Sequence, residues 1–132
     1  MFLGILNEKE GKNFLELAAI AMNVDSADAE KERKVFATYR FELGLFDYEI
    51  QKKEYQKIIS ELKCSRKRVL RAIVVELAGM MDSDKELEKV EETWVLKLGN
   101  DLDFRDVEMR KMLRWTQDFN DLLAEGYMYI NK

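Results

Sequence analysis

The stretch Arg71-Ala-Ile-Val-Val-Glu-Leu-Ala-Gly-Met-Met81 decides the fold. From Ile73 to Met81 it is apolar nearly all round, interrupted mainly by Glu76. A helix of that kind is buried on most sides, which makes it the central element of a helical domain. The β-branched run Ile73-Val74-Val75 also suits a strand, but the flanking charges and the length of the segment favour a helix. Outward from this stretch, the 132-residue chain has no proline and six glycines, so little interrupts helix formation.

Upstream, Asn7 and Glu10 have the spacing of a capping box, and Phe14, Leu17, Ala18 and Ala21 then form one helical face. This first helix is expected to end near Asn23, with Asp25 or Ser26 capping a second that carries Val35, Phe36, Tyr39 and Leu43 and stops at Gly44. After a connector at 45–51, a short helix presents Tyr55, Ile58, Ile59 and Leu62, and Ser65 is the expected cap of the central helix. Downstream, Leu87, Val90, Trp94 and Leu98 form a helix that Gly99 is expected to end. Asp103 is the expected cap of a last helix with Met109, Met112, Leu113, Thr116, Phe119 and Leu123 on its core face. Gly126 is expected to end it, with Tyr127-Met128-Tyr129-Ile130 packing back on the body.

The central helix also takes part in a repeat. Ile20-Ala-Met-Asn-Val-Asp-Ser26 aligns with Leu77-Ala-Gly-Met-Met-Asp-Ser83, and each following helix closes on Leu-Gly, at Leu43-Gly44 and Leu98-Gly99. Such self-similarity predicts an all-α single domain over 1–132, a compact bundle of about six or seven helices in two pseudo-repeated halves, about 1–62 and 63–132.

Composition bounds the function. A 47% hydrophobic content excludes a disordered chain, and a net charge of -4 argues against nucleic acid as partner. Cys64 is the one cysteine, which fits a reducing, cytoplasmic setting. The apolar start Met1–Leu6 is too short for a signal peptide, and no run is long enough for a membrane span. With no histidine and one cysteine, the usual zinc ligands and the Ser-His-Asp and Cys-His catalytic systems are missing. No glycine-rich phosphate loop is present.

Two clusters remain as candidate sites. Asp25, Asp28 and Glu32 flank one Asp-Ser turn, and Asp82, Asp84 and Glu86 flank the other. Oxygen-rich clusters of this kind suit Ca²⁺ or Mg²⁺. The same acids at helix starts also cap free N–H groups and interact favourably with the positive end of the helix dipole, and capping is the default account. The second turn is not an EF-hand, since Leu87 stands where that loop needs glycine and Thr93 where it needs glutamate. The second cluster is basic: Lys63, Arg66, Lys67, Arg68 and Arg71, at a helix start where cations oppose the dipole. It suits an anion or an acidic partner, or else is a solvated face. Trp94, Met112, Trp115 and Phe119 suit either a ligand pocket or, as such stripes usually do, a core.

The opening Phe2-Leu3-x-x-Leu6-Asn7-x-x-Glu10, the run Phe14-Leu-Glu-Leu-Ala18 and the paired aspartate turns resemble the TerB-like family, helical domains associated with tellurite resistance. The family glycine of each turn is serine here, at Ser26 and Ser83. Glu32 stands where the family places an acid, and Lys89 stands at the matching place of the second half. The resemblance implies an all-α fold, a role in stress response and a link to metal binding, without a defined reaction. The expected function is a non-enzymatic domain that binds protein partners and a divalent cation through its acidic turns. The alternatives are a metal-free scaffold docking through charged surfaces such as the basic cluster, and a carboxylate-based hydrolase.

Overall fold

The computed structural model describes residues 1–82 and 87–132, which form helices and their connectors, with no strand among them. A 3-10 turn at Leu3–Ile5 precedes α1 (Glu8–Asp25), α2 (Ala29–Leu43), α3 (Tyr55–Leu62), α4 (Lys67–Asp82), α5 (Lys89–Asp101) and α6 (Asp106–Ile130). The sequence expectation of an all-helical bundle holds. No helix among the described residues is long and apolar enough to cross a membrane.

Helix α4 is the central element. It packs against α1, α5, α6 and the 3-10 turn. Ile73, Val74, Leu77 and Met81 are fully buried, together with Phe14, Leu15 and Leu17 of α1, Ile58 and Leu62 of α3, and Leu98 of α5. An apolar surface on all sides requires neighbours on all sides, and the bundle supplies them.

Local chemistry sets most helix ends. Asn7 caps α1 by accepting from the Glu10 N–H at 2.8 Å, while Glu10 accepts from the Asn7 N–H at 2.9 Å. Gly44 closes α2 at φ 69°, a left-handed conformation that favours glycine. The connector at 45–54 is bound to α1 through Glu16, which is 2% exposed. Its carboxylate accepts from Tyr48 Oη at 2.5 Å, the Gln51 N–H at 2.8 Å and the Lys53 N–H at 3.0 Å.

Several expected boundaries are corrected. Ser26 ends α1 at φ 56°, and the cap of α2 is Asp28, which accepts from the Lys31 N–H. Helix α4 starts at Lys67, so Ser65 lies outside its cap position. Gly99 stays inside α5, and Met109 fills the space where a side chain at that position would be. Asp103 sits in the turn at φ 67°, and α6 starts after Arg105. Gly126 does not end α6, which runs on to Ile130. Tyr127, Met128, Tyr129 and Ile130 therefore stand away from the body, each more than half exposed.

Candidate functional site: an apolar groove continued by a bare helix face

Two carboxylates build the groove. Glu42 of α2 and Glu76 of α4 hold the Met1 ammonium at 2.7 and 2.6 Å. Glu76 also accepts from the Phe2 N–H at 2.6 Å, and Glu42 from the Leu3 N–H at 2.8 Å. Burial opposes the charge on that ammonium, but the hydrogen bonds and charges of Glu42 and Glu76 outweigh it and hold its pKa above the ordinary value. The first residues are thereby fastened across α2 and α4, and Phe2 becomes one wall of a cleft.

The opposite wall is α6. The Trp115 ring stacks on Phe119, with centroids 5.4 Å apart and planes 18° apart, and meets Phe2 at 6.0 Å. Val35 and Tyr39 of α2 and Val75, Gly79 and Met80 of α4 complete a groove of about 310 Å³. Its floor is open at Gly79, where an added Cβ would meet nothing within 4 Å. Asn120 ties α6 to α4 there, donating to the Gly79 carbonyl at 3.1 Å. The polar groups at its edge, Lys34 and Glu76, carry opposite charges.

The apolar surface continues along α6 beyond the groove. Leu122 is 66% exposed, Leu123 48%, Tyr129 66% and Ile130 78%. A large exposed apolar patch is the informative kind of surface, because single exposed apolar residues are common and contiguous ones are not. Trp115 and Phe119 were flagged by the sequence as either pocket or core, and they line the groove. Met112 packs partly against the core, and Trp94 lies by a separate shallow depression with Val24, Val90 and Thr93. Phe2, Val35 and Val75 gave no signal, since their meeting depends on pairings between distant helices.

The acidic residues are differently placed. Asp25 is buried, and its Oδ2 takes the Lys31 ammonium at 2.8 Å, while its Oδ1 has no hydrogen-bond partner among the described residues. Asp28 caps α2, and Glu32 is exposed on the first turn of that helix. Asp82 is buried at the end of α4, 3.5 Å from Asn120 Nδ2. Asp84 and Glu86 lie outside the described residues. Among the described residues, no group of three His, Cys, Asp or Glu side chains is placed to hold a metal ion.

The basic cluster is divided in its roles. Lys67 Nζ donates to the Leu102 and Asp103 carbonyls at 2.9 and 3.0 Å and lies 4.3 Å from the centre of the Phe104 ring. Arg71 lies 6.0 Å from the same ring, and Lys63 Nζ is 3.9 Å from Asp103 Oδ1. These three surround the α5–α6 turn, while Arg66 and Arg68 are exposed to solvent. Cys64 beside them is an exposed free thiol.

Comparison with protein-family models, with curated proteins and with solved structures finds no match for this chain.

Proposed function

We propose that this chain is a non-enzymatic docking module that receives an amphipathic helix of a protein partner in the groove between α2, α4 and α6. The observation that carries the reading is the groove itself: Phe2, held in place through the Met1 ion pairs with Glu42 and Glu76, and Trp115 and Phe119 of α6 present aromatic surface to it. Aromatic anchors on a rigid frame are the usual centres of protein interfaces, and a helix with spaced apolar residues is the occupant that a groove between helices best accepts. The TerB-like resemblance of residues 2–18 and of the paired aspartate turns agrees with a non-enzymatic role in two pseudo-repeated halves. The free thiol of Cys64 agrees with a reducing, cytoplasmic setting.

The test is a photo-crosslinking amino acid placed in cells at Val35 or Thr38 in the groove, and at Lys57 on α3 as control. The expected result is a discrete protein adduct from the groove positions and none from Lys57. Equal labelling at all three positions, or no adduct at any, overturns the reading.

A further inference from the structure

Helix α6 carries a heptad-spaced seam along its length, apolar except at Thr116 and Gly126. Its first part, Met109, Met112, Thr116 and Phe119, faces the body of the bundle and is buried or partly buried there. The same alternation of three- and four-residue steps then continues through Leu123, Gly126 and Ile130, where, among the described residues, Leu123 is left 48% and Ile130 78% exposed. A seam that keeps its period after leaving its own domain is a helix-pairing surface.

We propose that the distal seam is covered by α6 of a second copy of this chain, the two helices antiparallel about a two-fold axis near residues 122–123. The inference rests on the docking reading above and names its partner. Trp115 and Ile130 are separated along α6 by about 22 Å at 1.5 Å per residue. An antiparallel pair with its axis midway sets the end of each helix beside Trp115 and Phe119 of the other. One symmetry operation therefore brings the two uncovered features together twice, the bare helix end of one copy against the groove mouth of its mate.

Charge and area agree with a second copy as the occupant. The positions flanking the distal seam are Leu122, Tyr127 and Tyr129, all uncharged, while Asp118 and Asp121 lie further round the helix and Glu125 borders the face, accepting from the Tyr129 hydroxyl at 3.1 Å. In a chain of net charge -4, a face with no charged residue along its seam is the one that meets a second copy with least like-charge repulsion. Leu122, Leu123, Tyr127, Tyr129 and Ile130 are 48–78% exposed and Trp115 46%, and at about 200 Å² per large side chain these six present on the order of 700 Å². Each partner of a standard stable interface contributes about 800 Å². Gly126 lies in the middle of this face with no atom within 4 Å of an added Cβ, which leaves room for the second helix to approach closely.

The test is sedimentation equilibrium of the full chain across the micromolar range, with the Leu123→Asp/Ile130→Asp double variant beside it. The wild type is expected at twice the chain mass, dissociating on dilution. The double variant is expected at the chain mass with an unchanged circular dichroism spectrum, since both side chains lie outside the core. In a Cys64→Ser background, a mixture of Trp115→Cys and Ile130→Cys chains is expected to form the mixed disulfide. A wild type that stays at the chain mass throughout overturns the proposal, and so does a dimer that the double variant leaves intact. If the groove crosslinks a different protein while the chain stays monomeric, self-pairing fails and the docking reading stands. If the groove crosslinks nothing, both fail.

Discussion

Gly99 of α5 lies directly against Met109 of α6: a Cβ on Gly99 would sit 2.3 Å from Met109 Sδ and 2.5 and 2.6 Å from its Cγ and Cε. Met109 is 1% exposed, so its flexible end can yield only by repacking against the core around it. Alanine is the better helix former by about 1 kcal/mol, but overpacking a filled core costs about 1–3 kcal/mol. The difference of the central values is about 1 kcal/mol, so Gly99→Ala is expected to lower stability by about 1 kcal/mol in urea unfolding. The loss should shrink in a Met109→Ala background, where the clash is absent. Gly79→Ala, whose Cβ enters open space, is expected to be neutral or stabilising by up to about 1 kcal/mol. A neutral Gly99→Ala would show that the contact does not constrain the packing of α5 on α6.

Glu16 makes stability depend on pH. Burial by itself raises its pKa, but the Gln51 and Lys53 N–H groups, the Tyr48 hydroxyl and the Lys53 charge outweigh burial and hold the carboxyl below its ordinary value of 4.5. A depressed folded-state pKa contributes stability that is fully present above the unfolded value. That contribution is lost as pH falls from 4.5 through the folded value. Glu16→Gln turns an amide donor toward groups that are themselves donors, and is expected to cost about 2 kcal/mol at pH 7. The variant should also lose stability less steeply than wild type below pH 4.5. Parallel unfolding curves for the two proteins across the acid range would remove Glu16 as a contributor.

The features readable from sequence are those written in neighbouring residues. Asn7 and Glu10 bond each other three positions apart, and Gly44 turns left-handed where α2 stops. The apolar circumference of 73–81 is itself the statement that α4 is central. Gly99 and Gly126 look like Gly44 in sequence but behave differently. Gly44 turns left-handed and ends its helix, whereas Gly99 and Gly126 keep helical backbone, and the small size of Gly99 makes room for Met109 of another element. The groove was half legible: Trp115 and Phe119 share a helical face, but Phe2 joins them only because Glu42 and Glu76 take hold of the first residues. Of the acids, Asp28 caps as local rules expect, whereas the commitment of Asp25 to Lys31 depends on the left-handed turn at Ser26.

Lys67 and Arg68 are neighbours in sequence with different work. Lys67 satisfies two carbonyls at the α5–α6 turn and covers the Phe104 ring, whereas Arg68 is solvent-exposed. Lys67→Met is expected to lose about 1 kcal/mol of stability through those contacts, and Arg68→Met to change it by less than about 0.5 kcal/mol. Thermal unfolding of the two variants side by side separates the roles. An equal loss in both would mean that the cluster acts as a general charge surface.

The Lys31–Asp25 pair decides what the first acidic turn is for. Asp25 is the last residue of α1, where a negative charge opposes the helix dipole, and its side chain is 2% exposed. The Lys31 ammonium at 2.8 Å is its counter-ion. Removing one member of a buried pair leaves the other uncompensated, so Lys31→Met is expected to cost about 3 kcal/mol. Adding Asp25→Asn should recover most of that loss, because a buried amide needs no counter-charge. The pair is measured by a double-mutant cycle in urea, with melting of each protein followed with and without Ca²⁺ or Mg²⁺. A strongly positive coupling with no response to either cation assigns the carboxylate to Lys31. A wild-type melting temperature that rises with cation, and stops rising in Asp25→Asn, assigns it to a metal ion instead.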